Sequence, residues 1–488
     1  MASIGTTVTN TETPAATTPV WDTANAFMIG FSDWGSTTGP ITITSQPQIQ
    51  SAVGPRSGTN TTLYDSLDVF FREGGTTAFV SRVVGPSASA ASLVLSDSNP
   101  SAAVLVNAAY VGEYGNAIKV AVVNNGTSVQ ITLTDTYGNT LAVSPALSSR
   151  AAIVSWAATS GYVTAVAYVG TTLPATATAT LSNGSSNKVG TTLASYSTAL
   201  SNIPAALGPG QVLAPGITNT SVSGIWTALG AHALANNRVA ICDVDDGVSA
   251  NVAVSDISTT YQTASSGPIG FWAGNLSAPG VVPNTTRSIP PSAVISALCS
   301  LVDAAGNPNL AAAGSGLPLQ YCTGPATVVT GTNQTYSPVD TSTLNSAGIN
   351  TFASFFGGYL NWGFVSSIPS TTDVIYWQFN HCRLRMAITA SVQIVAQPFV
   401  FSQIDGQGSD ILSFGSALAN MLKQDYWASG ALYGVTPNDA FSVNVGPQVN
   451  PPSQLQQGVL SAVISVKMSP FAQQIPITIN SVPITGTL

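Results

Sequence analysis

Residues 61–76, TTLYDSLDVFFREGGT, decide how the first part of the chain is read. Leu63, Leu67, Phe70 and Phe71 fall at i, i+4, i+7 and i+8, one apolar stripe of an amphipathic helix, and Gly74-Gly75 stops it. AFMIGF (26–31) ahead of it and TAFVSRVV (77–84) behind it are short apolar runs, as expected of buried strands. Strand, helix, strand predicts parallel neighbours in an α/β sheet.

The same alternation returns after Leu193. A helix is predicted over 194–207, a strand over 210–214, a helix over 219–236 and a strand over 239–244 (VAICDV). A further helix over 292–303 follows Pro290-Pro291, where proline suits the first turn. Residues 86–185 read differently. Short alternating runs, such as 117–123 and 129–134, are separated by Asn-Gly and Tyr-Gly-Asn turn signals, and a helical period is missing. This predicts a β-rich domain inserted into the α/β core.

Towards the C-terminus, 375–379 is predicted as a strand, 386–394 as a longer element and 459–467 as a β-run. Residues 409–428 form an amphipathic helix with Ile411, Leu418, Met421 and Leu422 on one side. Both ends read as arms. The first 22 residues are Thr-rich with little to bury, and the last 14, IPITINSVPITGTL, alternate Ile475, Ile477 and Ile479 with polar residues. Pro476 and Pro483 bar that segment from a central strand of its own sheet, so its natural use is to add a strand to another molecule. Fully extended, residues 475–488 reach about 45 Å and residues 1–22 about 70 Å, enough to bridge to a neighbour. The expected organisation is an arm (1–22), an α/β core (23–85 and 186–355), the insertion (86–185), an α+β domain (356–470) and a second arm (471–488).

Composition narrows the function. Of 488 residues, 44% are apolar, so the chain is globular, but only 7% are charged against about 25% in an average soluble protein. A surface built from Ser, Thr, Asn and Gln suits a protein covered by neighbours, or a secreted β-rich surface protein. Net charge is −8, with 12 Lys plus Arg and no basic run, which argues against direct nucleic-acid binding. The four cysteines form no CxxC pair and read as reduced, buried thiols. The opening residues, MASIGT, lack the basic and apolar regions of a signal peptide. Residues 151–169 carry no charge, but Ser155, Thr159, Ser160, Gly161 and Thr164 leave them weakly apolar, and membrane insertion is not expected.

Catalytic patterns are missing as well. The two histidines, His232 in a predicted helix (GAHALANN) and His381 ahead of an Arg-rich strand, carry no triad signature, and GxSxG does not occur. Two histidines without clustered thiols do not make a zinc site, and GxxxxGK[ST] is absent. Asp243, Asp245 and Asp246 miss the EF-hand spacing and read as a solvated loop, with a cation site as the alternative. No catalytic residue, cofactor or metal is predicted.

Nearly the whole chain resembles contractile tail sheath proteins. The resemblance is carried in order by AFMIGFSDWGSTTG (26–39), LYDSLDVFFREGG (63–75), AYVGEYGNAIKV (109–120), LSNGSSN (181–187), VLAPGITN (212–219) and NNRVAICDV (236–244). SIPPSAVISALCSLVDAAGNPNLAAAG (288–314), similar to the family's PPS-helix-D-x-x-G segment, is the strongest match, followed by LNSAGIN (344–350), NWGFVSS (361–367) and GALYGVTPNDAFSV (430–443). Two departures stand out: the usual Pro-Gly-Val-Tyr start is absent, and NWGFVSS replaces a WG-x-R-T pattern.

The resemblance implies a subtilisin-like middle domain, an outward-facing insertion and arms that exchange strands between subunits. Thr7, Val8, Thr9, Ile475, Ile477, Ile479 and Ile484 would lie in those strands. A helix of the C-terminal domain would face the tail tube, making Asp410, Lys423 and Asp425 candidate contacts. It implies a non-enzymatic subunit of a helical homo-oligomer around the tail tube, joined to baseplate and tail terminator proteins. The cylinder contracts to drive the tube through the host envelope for genome ejection, as part of a virion assembled in the host cytoplasm. A sheath of an R-type bacteriocin or related injection particle fits the same residues. A reading from another class, a secreted adhesin or surface-layer protein, accounts for the composition but not for the α/β core.

Overall fold

The computed structural model describes residues 22–257, 259–263, 267–326, 336–355, 358–405, 409–473 and 475–477. Among them the chain divides into two compact units, one running from Asp22 to Met386 and including the segment from Met468, the other Ala387–Lys467.

The larger unit is built on a seven-stranded sheet. Its strands are β1 (Ala26–Phe31), β2 (Ile41–Ile43), β3 (Ala78–Val83), β4 (Gln211–Leu213), β5 (Val239–Asp243), β6 (Ile269–Trp272) and β7 (Ile349–Asn350). The spatial order is β7-β6-β5-β4-β1-β3-β2, all parallel except the edge strand β2. The predicted pair is there: β1 runs beside β3 in register from Ala26↔Ala78 to Phe31↔Val83, joined through helix α1 (Thr61–Arg72). Helices cover both faces. Met28 and Val80 pack with Leu67 and Phe70 of α1 and with Leu298 of α4 (Pro291–Ala304). On the other face Phe27 and Ile29 meet Leu200 of α2 (Leu193–Ser201) and Trp226 and Leu229 of α3 (Ile225–Ala235). Each such side chain contributes roughly 1.5–3 kcal/mol on burial, which is why apolar strands without alternation belong in the middle of this sheet.

Residues 90–180 contribute two antiparallel sheets that share a core. One joins Ala90–Ser96, Ala102–Val111 and Val163–Ala167; the other orders Ala177–Thr180, Lys119–Asn124, Val129–Thr134 and Thr140–Val143. Val104, Val106, Val120, Ile131 and Leu133 fill the space between them. A helix does occur here, contrary to expectation: Arg150–Thr159, whose N-cap Ser149 accepts a hydrogen bond from the Ala152 amide at 3.1 Å. It buries only Arg150, Ile153 and Ala157, too few apolar positions to print a period. With the strand at Val163–Ala167 it replaces the uncharged stretch weighed as a membrane span. Among the described residues no helix is long and apolar enough to cross a membrane.

This region joins the sheet through a tightly packed neck. Gly112 sits at φ +126°, where an added Cβ would lie 2.2 Å from the Asp33 carbonyl oxygen. Beside it Glu113 accepts from the Ser186 amide at 2.9 Å and from the Ser186 hydroxyl, and Arg82 donates to the Ser32 and Gly35 carbonyls at 2.8 and 2.9 Å.

Three more element readings need correction. Helix 194–207 stops at Ser201, ahead of Pro204, whose ring cannot continue an α-helix. The helix read from 219 begins at Ile225, after Gly224 in the left-handed region. The strand at 375–379 and the Arg-rich strand after His381 are absent; Phe379–Ala396 is one helix. Its first two turns bury Phe379, Cys382, Arg383, Leu384, Met386 and Ala387, so no polar face marks it as helical.

The smaller unit holds the rest of that helix, Ser409–Met421 continued by a π-helical stretch Leu422–Trp427, and a ribbon of Phe441–Asn444 with Val463–Val466.

Candidate interaction surface

The groups that could carry chemistry are used inside the fold. His232 lies on α3, with Nε2 2.7 Å from Arg238 Nη1. Arg238 is caged by the carbonyls of Ile203, Pro204 and Gly208 and stacks 3.7 Å from the Phe27 ring centroid. Burial, with help from Arg238, pulls the His232 pKa down to about 4, so the ring is neutral and accepts from the guanidinium. The ordinary value is about 6.5, so between pH 6.5 and 4 the unfolded chain binds a proton that the folded chain refuses. This linkage costs nothing above pH 6.5 and is expected to remove roughly 2–3 kcal/mol of stability by pH 4. Urea unfolding of the protein and of His232→Gln at pH 7 and 4.5 checks this; the variant should lose less stability on acidification.

The acidic loop after β5 splits by burial. Asp243 accepts from the Ser292 amide and hydroxyl, both at 2.7 Å, and from the Gly216 amide at 2.8 Å. Burial pushes its pKa up to about 6 against the pull of those donors. It secures the first turn of α4, where a carboxylate is favoured by the helix dipole. Asp245 accepts from Thr220 at 2.5 Å and Asp246 from the Asn275 amide at 3.0 Å. Among the described residues no group of three or more His, Cys, Asp or Glu is placed to hold a metal ion.

Charge is drawn inward throughout. Arg82, Arg150, Arg238 and Arg383 are buried. Arg287 bridges the buried Asp65 (2.7 Å) and Asp68, which also hold Arg56 and Arg72. A chain with so few charges keeps several of them as internal ties, which leaves an outer surface poorer in charge than its composition suggests.

That surface carries apolar groups in the smaller unit. Phe401 is fully exposed at 103% and sits at φ +69°, a conformation rare for a bulky residue. Leu412, Tyr433, Val435 and Val463 are exposed too. Each sits in a short apolar run, such as PFVF (398–401) or ALYGV (431–435), which reads as core and gave no sequence signal of exposure. The ribbon lies in the same unit. Its inner pairs are Phe441↔Val466 and Val443↔Ile464, and neither strand has a second neighbour among the described residues. Two strands alone are marginal in water, and among the described residues both outer edges are without a partner strand.

Of the predicted arm residues, Thr7, Val8, Thr9, Ile479 and Ile484 lie outside the described residues. Ile475 and Ile477 are exposed at 75% and 77% and belong to no strand. The three candidate tube contacts are not gathered at one point. Asp410 is in the first turn of its helix and Lys423 is thirteen residues on, a rise of about 20 Å. Lys423 is exposed, whereas Asp425 is half-buried and burial raises its pKa.

No family model matches this sequence, and no curated protein is significantly similar to it. Solved structures are. A sheath tail protein of Desulfitobacterium hafniense superposes with a TM-score of 0.62 at 13% identity, over 90% of this chain and 93% of that one. A sheath tail protein of Listeria innocua gives 0.60 at 12% identity, over 88% and 90%. The sheath complex of an extracellular contractile injection system, PVC, in its contracted state gives 0.59 at 14% identity, over 99% and 98%. The chain has the fold of these sheath proteins.

Proposed function

We propose that this chain is the structural subunit of a contractile sheath, a non-enzymatic protein that polymerises as a helical cylinder around a tail tube. The observation that carries the reading is the two-stranded ribbon without a second neighbour on either strand among the described residues, in a chain whose two ends read from the sequence as arms. Arms of neighbouring subunits would complete it by strand addition, so that Ile475, Ile477 and Ile479 on one side and Thr7, Val8 and Thr9 on the other become sheet. Main-chain bonds of that kind survive rotation of the bodies they join, which lets a polymer shorten without coming apart.

Work would come from burial. Each 100 Å² of apolar surface covered between layers on contraction is worth about 2.5 kcal/mol, repeated at every subunit. Contraction would drive the tube through a cell envelope for genome ejection, with tube, baseplate and terminator proteins as partners. Asp410 and Lys423 remain candidate tube contacts. The particle would be a virion tail assembled in the host cytoplasm. Full-length likeness to the PVC sheath favours a second reading, a non-phage injection particle with the same mechanics.

Negative-stain electron microscopy of the full chain, beside one lacking residues 475–488, tests the proposal. Long hollow tubes from the full chain that vanish on truncation are the expected result. Compact monomers from both would overturn it.

A further inference from the structure

The roots of the two arms, at opposite ends of the sequence, are held by neighbouring groups, the N-terminal one at the end of α4 and the C-terminal one at the start of helix Phe379–Ala396, and an ion pair joins the two. On the N-terminal side, the Ala24 carbonyl accepts from the Ser300 hydroxyl at 2.6 Å, and Gln211 Nε2 donates to the Thr23 carbonyl at 2.8 Å. Ser300 is on the last turns of α4, and so is Asp303, which pairs with Arg383 at 2.5 Å. Arg383 is fully buried and also donates to the Cys299 and Pro308 carbonyls, both at 3.2 Å.

On the C-terminal side, the Ser469 carbonyl meets Asn309 Nδ2 at 2.8 Å and His381 Nε2 at 3.2 Å. Asn309 is in turn held by Asn380 Nδ2, which lies 3.0 Å from its carbonyl and 2.9 Å from its side-chain oxygen. Gln378 exchanges two bonds of 3.3 Å with the Phe471 backbone, and the Phe471 ring packs 6.4 Å from that of Trp377. Gln378, Asn380, His381 and Arg383 span six consecutive positions.

We propose that residues 378–383, with Asp303 and Asn309, form a strut tying the root of the N-terminal arm to the root of the C-terminal arm. Part of the tension entering a subunit by one arm leaves by the other through this strut, which works beside the parallel strands that begin at Ala26. The chemistry suits the task. A buried guanidinium held by a carboxylate and two carbonyls has no lower-energy place to slide to, because any displacement leaves a buried charge unpaired. Packing of this kind switches between discrete arrangements and does not stretch. The mechanical role rests on the sheath reading; the coupling between the roots does not.

The coupling is tested by crossed hydrogen exchange on the full-chain subunit. Ser300→Ala touches only the N-terminal root, and Gln378→Ala only the C-terminal one. If the strut exists, Ser300→Ala raises exchange at the amides of Ser469 and Phe471 at least threefold, and Gln378→Ala does the same at 22–26. Exchange within Lys119–Asn124 stays unchanged in both and reports that the fold is intact. Effects confined to each variant's own root would overturn the strut. Arg383→Met, expected to loosen both roots together, is the stronger perturbation, and the two mild variants keep the test valid where it fails to fold. Tubes seen by microscopy with uncoupled roots would sink the strut and spare the sheath reading; coupled roots without tubes would do the reverse.

Discussion

Arg287→Met is expected to lower the stability of the larger unit by about 3–5 kcal/mol, the usual result of removing one partner from a buried ion pair. Arg287 stands on the strand Thr286–Ile289 and reaches back to α1, where Nη1 lies 2.7 Å from Asp65 Oδ1 and Nη2 bonds Asp68. The side chains of Asp65 and Asp68 are 2% and 7% exposed, so neither carboxylate can recruit water in exchange. Burial works against the guanidinium's charge, but hydrogen bonding to Asp68 and the nearness of both carboxylates outweigh it and hold its pKa above the ordinary value. Arg56 and Arg72 keep one carboxylate each, at 2.8 and 2.9 Å, which limits the loss. Arg287→Lys should recover part of it, because an ammonium cannot fork across two acids. Urea midpoints for both, with Lys423→Ala as an exposed control shifting by less than about 0.5 kcal/mol, check the expectation.

Gly112→Ala should cost a similar amount, about 3–5 kcal/mol, for a different reason. At φ +126° and ψ 169° the backbone occupies a region that only glycine enters without strain. The new methyl would also meet the Asp33 carbonyl at 2.2 Å, Arg82 Nη2 at 2.6 Å and Ser186 Oγ at 2.8 Å. All three are backbone or buried side-chain atoms of the neck itself, so relief requires moving it. Gly126→Ala is the matched control. Its φ of +96° is also positive but its surroundings are open, so only the backbone term, about 1–2 kcal/mol, should be felt. Thermal unfolding separates the pair. Equal losses in the two variants would mean that the neck is not tightly packed.

The seven-stranded sheet was legible because its strands are short apolar runs alternating with periodic helices, a pattern physics permits only when both sheet faces are covered. The antiparallel pair Lys119–Asn124 and Val129–Thr134 announced itself through alternation and an Asn-Gly turn. Failures cluster where burial is complete or nearly absent. Helix Phe379–Ala396 is buried on several sides at its start and so carries no stripe, and Arg150–Thr159 buries too little to show one. The corrected start at Ile225 and stop at Ser201 depend on one glycine and one proline whose local effect outranked the period.

Of the interaction surface, the sequence by itself supplied the expectation of arms, because Pro476 and Pro483 in an alternating Ile segment bar it from a central strand. It also determined that charge is scarce. Only the tertiary structure decided where that charge goes, because pairing Arg287 with Asp65 and Asp68, or Arg383 with Asp303, joins positions some 80 to 220 residues apart. The same holds for the open ribbon, Phe401 and the Asp303–Arg383 link between the groups that hold the two ends of the larger unit. Local sequence encodes period and turn chemistry, whereas contact between distant side chains exists only once the sheet has set the register that brings them together.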